Sequence, residues 1–402
     1  MSRRVVISGT AYSPIARHAD VPVGLLAVRA ARDALAEAGL APEDVDGLAN
    51  YPGAGHVGAG SVDGVDFVGS RFMGLMLPAT NLRWVGHVEP GDFASAIVAG
   101  VQAIAAGTCE VVLVWRAMHN PRNVRYGVVA APQAVGDLEF TAPYGIGDAL
   151  SKYAMPYSRY LAKYGARRAH MATFVEVNRA NAAINPDAVF HGKPVTREEY
   201  LASPMLVDPL SLLDCDMPID GAGAVVLTAH GRAEGALHPP VHVSGYASLN
   251  LYRGNPSCIV LEDHEAGAAA MADALWASTS LKVTDVDTAN LYDGFTYFTY
   301  LYLEALGFCG RGEAFEFIQD GRIARTGTLP LNTSGGSLGV GRLHGVPQVI
   351  ESVRQIQGRC GARQLPRAEV ALAVVGQPQY SGGYLLLSQN GVDTPRQREE
   401  VR

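Results

Sequence analysis

The sequence predicts an α/β fold built from two similar halves. Two observations carry the prediction. Each half runs strand, helix, strand, loop, strand, and each holds a buried helix and closes on an apolar strand that ends in small residues. The chain also has 402 residues at 48% hydrophobic content, ample for a large core spread over more than one layer. The halves match in element pattern, whereas the repeat is weak at the level of residues.

Residues 5–11 read as the first strand, and residues 23–39 (VGLLAVRAARDALAEAG) as an amphipathic helix with a glycine stop. A short strand is expected at 45–50, and the Gly-rich stretch 51–80 reads as irregular surface. Residues 92–107 (DFASAIVAGVQAIAAG) form the most informative helix of this half. Asp92 suits the N-cap and Gly107 the position after the last turn. The body is small and apolar with no charged face, so the helix is predicted to be buried on all sides. The continuous apolar run 110–115 (EVVLVW) reads as an interior strand. Residues 117–150 lack periodicity and read as a long functional loop, followed by a helical stretch at 151–185. A turn-rich approach from residue 203 then leads into a strand at 223–229.

The polar junction 231–240 (GRAEGALHPP) is the best boundary. It gives a first half at 1–235, with a loop insertion at about 117–165, and a second half at 236–390. The second half restarts with a strand near 241–247, a helix at 262–278, a strand near 288–292 and a helix at 296–306. It ends with a helix at 345–357 and strands near 369–375 and 383–388, before a polar tail at 391–402.

Composition excludes several classes. The net charge is −7 with both signs mixed along the chain, so no basic stripe suggests nucleic acid and no polybasic run suggests anionic lipid. The apolar run at the N-terminus, Val5 to Ile7, is too short for a signal peptide, and no window approaches a membrane span. The five cysteines (Cys109, Cys215, Cys258, Cys309, Cys360) are isolated and read as free thiols in a reducing cytosol, which places the chain in the cytoplasm. Cys215 is flanked by Asp214 and Asp216, whose charges raise a thiol pKa, so it reads as structural. No GxGxxG follows a strand, which argues against a nicotinamide cofactor.

Four separated blocks then carry a resemblance. Residues 291–308 (LYDGFTYFTYLYLEALGF) and 331–346 (LNTSGGSLGVGRLHGV) resemble the two site-forming segments of the sterol-carrier-type thiolases. Residues 153–165 (YAMPYSRYLAKYG) and 208–227 (DPLSLLDCDMPIDGAGAVVL) resemble two further blocks of that family, in the right order. The resemblance spans about residues 3–388 and implies the duplicated thiolase fold in five layers, αβαβα, usually a homodimer. It also implies a cysteine nucleophile at the start of the buried helix, where oriented amides and the helix dipole lower a thiol pKa. This chain has no cysteine before Cys109, and the nucleophile position falls near Pro90 to Asp92 in GHVEPGDFAS. The family's second cysteine falls at Tyr380 or its neighbour in QYSGG, so both thiols are replaced.

Tyr292 stands where a thiolase carries Asn or His, and His344–Gly345 stand at the family's catalytic His position. A tyrosine at this place resembles the lipid-transfer-protein-type aldolases of bacterial steroid side-chain degradation. That resemblance implies retro-aldol cleavage of a 3-hydroxyacyl-CoA with release of a shorter acyl-CoA. It also implies a small partner with an OB-fold and a zinc ribbon. Zinc is expected only in that partner, and no cofactor in this chain. Those aldolases carry a second tyrosine two residues before the His–Gly pair, and this chain has Arg342 there. The implied catalytic set is Tyr292, Asp293, Arg342 and His344, with substrate contacts from Asp92, Phe295, Gly345, Tyr380, Gly382 and Gly383.

The chemistry fits these residue types. Retro-aldol cleavage needs a base for the β-hydroxyl proton and donors for the thioester oxygen as it becomes an enolate, without a nucleophile. The bland readings stand beside this one. Tyr292 suits a core position at a strand end, and Tyr297, Phe298, Tyr300 and Tyr302 suit core packing as well as a flat apolar pocket. Two alternative functions remain open at this point: an acyltransferase or condensing enzyme, and an acyl-CoA- or lipid-binding scaffold without activity.

Overall fold

The computed structural model describes residues 3–51, 61–88, 91–122, 139–146, 149–250, 260–378 and 381–392. Its elements follow from where apolar residues cluster. The first half opens with β1 (Val5–Tyr12), α1 (Val23–Glu37), β2 (Gly47–Asn50), α2 (Ser70–Met76) and β3 (Trp84–His87). It continues with α3 (Phe93–Ala105), β4 (Val111–Met118), α4 (Ala149–Tyr164), α5 (Arg168–Ala183) and α6 (Arg197–Leu201). A small hairpin, β5 (Met205–Val207) and β6 (Leu210–Ser211), precedes β7 (Gly221–Ala229). The second half has β8 (Val241–Asn250), α7 (Leu261–Ala277), β9 (Thr288–Leu291), α8 (Phe298–Ala305) and α9 (Ala314–Phe317). It ends with α10 (Gly336–Val340), α11 (Val346–Ile356), β10 (Val370–Gln377) and β11 (Ser381–Ser388).

Nine strands form one sheet in the order β3-β2-β4-β7-β1-β8-β11-β10-β9. The duplication is visible in that order. β2 runs parallel to β4, β4 antiparallel to β7, and β7 antiparallel to β1. In the second half β9 runs parallel to β10, β10 antiparallel to β11, and β11 antiparallel to β8. The halves join through a short antiparallel contact of Val6–Ile7 with Val241–His242. A helix follows the first strand of each half (α1, α7), and a helix precedes the equivalent third strand (α3, α11).

Three apolar cores make the layers. α1 packs on the outer face of the first half-sheet around Ala27, Ala31 and Leu113. α3 and α11 lie between the half-sheets, with Ile97, Val101, Val349 and Val353 against Val225, Ala373 and Leu385. α7 and α8 cover the outer face of the second half-sheet, joined by α4 and α5. The result is the five-layer α/β arrangement that the sequence predicts.

α3 bears out its reading. Asp92 caps it, with Oδ1 accepting the Ser95 amide at 2.9 Å, and Gly107 takes φ +77° just past its end. Only one side, at Gln102, reaches solvent. Two elements differ from expectation. Residues 51–80 are not wholly irregular, because 70–76 form α2, and β3 at 84–87 has no counterpart among the predicted strands. Both are short, and β3 alternates half-buried with exposed residues and lacks the apolar run that marks an interior strand. β4 also extends to Met118, into the stretch read as loop. Among the described residues no helix is long and apolar enough to cross a membrane.

Candidate active site

The site assembles around Val374–Gly376, near the C-terminal end of β10. The Tyr292 amide donates to the Val374 carbonyl at 2.8 Å, which ties the turn after β9 to β10. The His344–Gly345 turn packs on the next residue, since a Cβ on Gly345 would lie 2.1 Å from Val375 Cγ1. Across the hairpin Gly382 pairs with Gly376 and Gly383 with Val375. Gly383 presses on the start of α3, where a Cβ would meet the Ser95 backbone nitrogen at 2.4 Å. Tyr302 of α8 donates its hydroxyl to the Gly376 carbonyl at 2.6 Å. Tyr292, His344–Gly345, Gly382–Gly383 and Asp92 are therefore brought together at this end of β10 and β11.

Tyr292 is half-buried, and its ring stacks against Phe298 with centroids 6.3 Å apart. Its hydroxyl lies over Gly294, where a Cβ would approach it to 2.5 Å. Glycine after Asp293 is thus what lets the hydroxyl lie across the turn.

Asp293, the next residue, anchors the turn. It is fully buried, and both carboxylate oxygens are taken. Oδ1 accepts the Ser337 amide at 2.6 Å and Gln348 Nε2 at 2.9 Å. Oδ2 accepts Asn178 Nδ2 at 2.5 Å and the Leu338 amide at 3.4 Å. Burial pushes its carboxyl up to about 6, against the lowering effect of these bonds. An acceptor this enclosed holds the Tyr292 turn onto α5, α10 and α11.

His344 sits in the left-handed region at φ +47°, a conformation costly for a residue with a Cβ and commonly retained at functional sites. Two arginines approach its ring. Arg342 Nε donates to Nε2 at 3.1 Å, and Arg116 Nη2 lies 3.3 Å from Nδ1. A neutral imidazole has one N–H and one lone pair, so it accepts fully from one of them at a time. The Arg342 amide is fixed by the Met217 carbonyl at 2.9 Å.

Arg116 and Tyr51 escaped the reading of the sequence. Arg116 is a buried arginine on β4, inside an otherwise apolar run, and that charge in VVLVWRAM is the signal that marks it. Its Nη1 donates to the Tyr51 carbonyl at 2.9 Å, and its guanidinium carbon stands 4.7 Å over the Tyr51 ring. The Tyr51 and His344 rings are 6.0 Å apart. The first half therefore contributes Tyr51 and Arg116 to a cluster whose other members, Arg342 and His344, come from the second.

Asp92 is buried at the α3 cap. Oδ2 has no hydrogen-bond partner among the described residues. Burial pushes the carboxyl up to about 7, and the Ser95, Ala94 and Gly383 amides only partly offset it. Phe295 is nearly buried, packed 4.7 Å from the Tyr153 ring and 5.8 Å from Phe298. Tyr297, Phe298, Tyr300 and Tyr302 are all buried in the core, which settles the aromatic run as packing. Tyr380 lies outside the described residues, as do Glu89 and Pro90. No described thiol is poised to attack. Burial raises Cys109 and Cys309 to about 12, and Cys215 and Cys360 further still.

Comparison with known proteins fits this geometry. Residues 254–387 match the family model for thiolase C-terminal domain-like proteins. A 17-hydroxy-3-oxo-4-pregnene-20-carboxyl-CoA lyase of Mycobacterium tuberculosis is 34% identical over 89% of this chain and 92% of its own length. A steroid side-chain-cleaving aldolase of Thermomonospora curvata is 33% identical over 83% of this chain and 85% of its own. The chain belongs to the thiolase superfamily, among its steroid side-chain-cleaving aldolases. A solved Ltp2-ChsH2(DUF35) aldolase superposes with TM-score 0.84 at 29% identity, covering 96% of this chain and 97% of that one. Human mitochondrial 3-ketoacyl-CoA thiolase, at 18% identity and TM-score 0.66, shares the fold.

The aldolase family makes the missing thiol intelligible. This is a carbon–carbon lyase of thiolase fold. The aldolase keeps the buried helix of a thiolase and starts it with a capping carboxylate.

Proposed function

We propose that this aldolase cleaves a 3-hydroxyacyl-CoA attached to a steroid or similarly bulky apolar skeleton, by retro-aldol reaction. The products are a ketone or aldehyde and a shorter acyl-CoA. One observation carries the reading. The Tyr292 hydroxyl lies over Gly294 at the end of the sheet that also holds the His344 cluster, and the helix start beside it offers a carboxylate and no thiol.

Tyr292, acting as its phenolate, takes the β-hydroxyl proton and becomes the phenol. As the Cα–Cβ bond breaks, its electrons move into the thioester and put negative charge on the carbonyl oxygen. His344 and Arg342 face that charge, and the Gly382–Gly383 turn with Gly345 shapes the space beside it. Donors held ready for such an oxyanion are each worth on the order of 10²–10³ in rate. Tyr380, Phe295 and Asp92 complete the proposed substrate contacts. The reading needs no cofactor bound by this chain.

A cavity of about 640 Å³ suits the apolar skeleton, with Val175, Phe190, Leu206, Leu213 and Met217 among its walls. Its wall at 215–218 also braces the site, because the Asp216 amide donates to the Gly294 carbonyl at 3.2 Å and Met217 holds Arg342. The solved Ltp2-ChsH2(DUF35) aldolase supports a small partner, for which we propose an OB-fold with a zinc ribbon. A homodimer in the cytoplasm completes the reading.

The test uses the full chain with its partner, steroid 3-hydroxyacyl-CoA thioesters and mass spectrometry of both products. Wild type releases a short acyl-CoA, and Tyr292→Phe lowers kcat by on the order of 10²–10⁴. An acyl-enzyme mass shift, or a Tyr292→Phe enzyme as fast as wild type, sinks the reading.

A further inference from the structure

Retro-aldol cleavage moves a proton from the β-oxygen to the α-carbon, so it needs an acid as well as a base. Tyr292 accounts for the base. The acid has to reach the same site by another route, and the duplicated topology supplies one. β2 and β9 occupy equivalent places in their half-sheets, each parallel to the strand that follows its buried helix. Asn50, the last residue of β2, registers with Trp115, and Leu291, the last of β9, registers with Val374. The next residue is Tyr51 in one half and Tyr292 in the other. The two tyrosines are topological equivalents.

Tyr51 also has the surroundings of a proton donor. Its ring is 6.0 Å from His344, and the Arg116 guanidinium stands 4.7 Å over its face. A cation there favours the phenolate that remains after the proton has left. Arg116 is fixed in turn by the Tyr51 carbonyl and the His344 ring.

We propose that Tyr51 is the second catalytic tyrosine, the acid that protonates the α-carbon of the departing acyl-CoA enolate. This rests on the retro-aldol reading above. The Tyr51 O–H bond breaks, and the enolate π pair forms the new C–H bond as the thioester carbonyl returns. Tyr51 is left as phenolate and Tyr292 as phenol, having gained the β-hydroxyl proton. Exchange with solvent restores both, so the cycle is balanced without an added reagent.

The step run backwards gives the test. Propionyl-CoA is incubated with the full chain and its partner in D2O, and α-deuteration is followed by mass spectrometry alongside cleavage of the 3-hydroxyacyl-CoA. Wild type exchanges an α-proton. Tyr51→Phe, which keeps the ring and its packing, loses exchange and cleavage by on the order of 10²–10³. Tyr292→Phe loses cleavage and keeps exchange. Arg116→Met, a second variant that leaves Tyr51 in place, slows exchange and shifts its pH profile upward. Exchange by Tyr51→Phe at the wild-type rate overturns the proposal, and so does a wild type that cleaves without exchanging. A wild type that exchanges without cleaving any 3-hydroxyacyl-CoA overturns the retro-aldol reading and leaves Tyr51 as the α-carbon acid.

Discussion

Two buried aspartates near the candidate site answer differently to one change. Asp92 uses Oδ1 to cap α3 and has its carboxyl pushed up to about 7 by burial. Between about pH 4 and pH 7 the folded chain therefore holds a proton that the unfolded chain has released. Stability falls as pH rises through that window and is lowest above it. Asn caps a helix as well as Asp and cannot ionise. Asp92→Asn should match wild type near pH 4 and exceed it above pH 7, by roughly 4 kcal/mol at most. Urea unfolding at pH 5 and pH 8 checks this, and identical pH slopes for the two proteins would refute it.

Asp293 has the opposite prognosis. Its oxygens already face four donors, two on each, so the NH2 of Asn would confront two of them in the core. Asp293→Asn is expected to lose about 2–4 kcal/mol at neutral pH in the same measurement. None of this was legible in the sequence. DGF after a strand marks the turn, but Asn178 and Gln348 reach Asp293 from 115 and 55 residues away. Arg116 was more accessible, since a charge inside an apolar strand needs a partner wherever the chain folds.

At the scale of elements, the contact of β11 with the start of α3 decides the shape of the site. Gly383 lets the strand approach within 2.4 Å of Ser95 N, measured from where a Cβ would stand. The obstacle is backbone, which cannot rotate aside, so Gly383→Ala must separate the two elements. Expected are a loss of about 1–3 kcal/mol in chemical denaturation and a fall in kcat beyond that of an equally destabilised surface variant. A Gly383→Ala enzyme with wild-type kcat would mean the approach does not shape the site. Elements of this kind were legible where their pattern was strong. The small apolar run of α3 and the continuous apolar runs of β4 and β10 read directly as buried. β3 and α2 did not, because four and seven residues carry too little periodicity to stand out.

Among the described residues one edge of the sheet is covered and the other is open. The sheet ends in β9 on one side and β3 on the other. The β9 edge is covered by the segment at 330–332, where the Ala289 amide donates to Pro330 and Ala289 accepts from the Asn332 amide. β3 pairs with β2 on its inner side, and its outer side has no partner among the described residues. Val85 on that strand is 47% exposed. An open edge with apolar side chains is a template for another strand unless something covers it. A second copy of this chain, adding its own β3 about a twofold axis, would close both edges at once. Lysine at such an edge opposes pairing, because each copy brings the same charge to the axis. Val85→Lys is therefore expected to halve the mass seen by sedimentation or light scattering, with little effect on the fold of each copy. A wild-type chain that sediments as a monomer, or a Val85→Lys chain that stays dimeric, removes β3 as the interface.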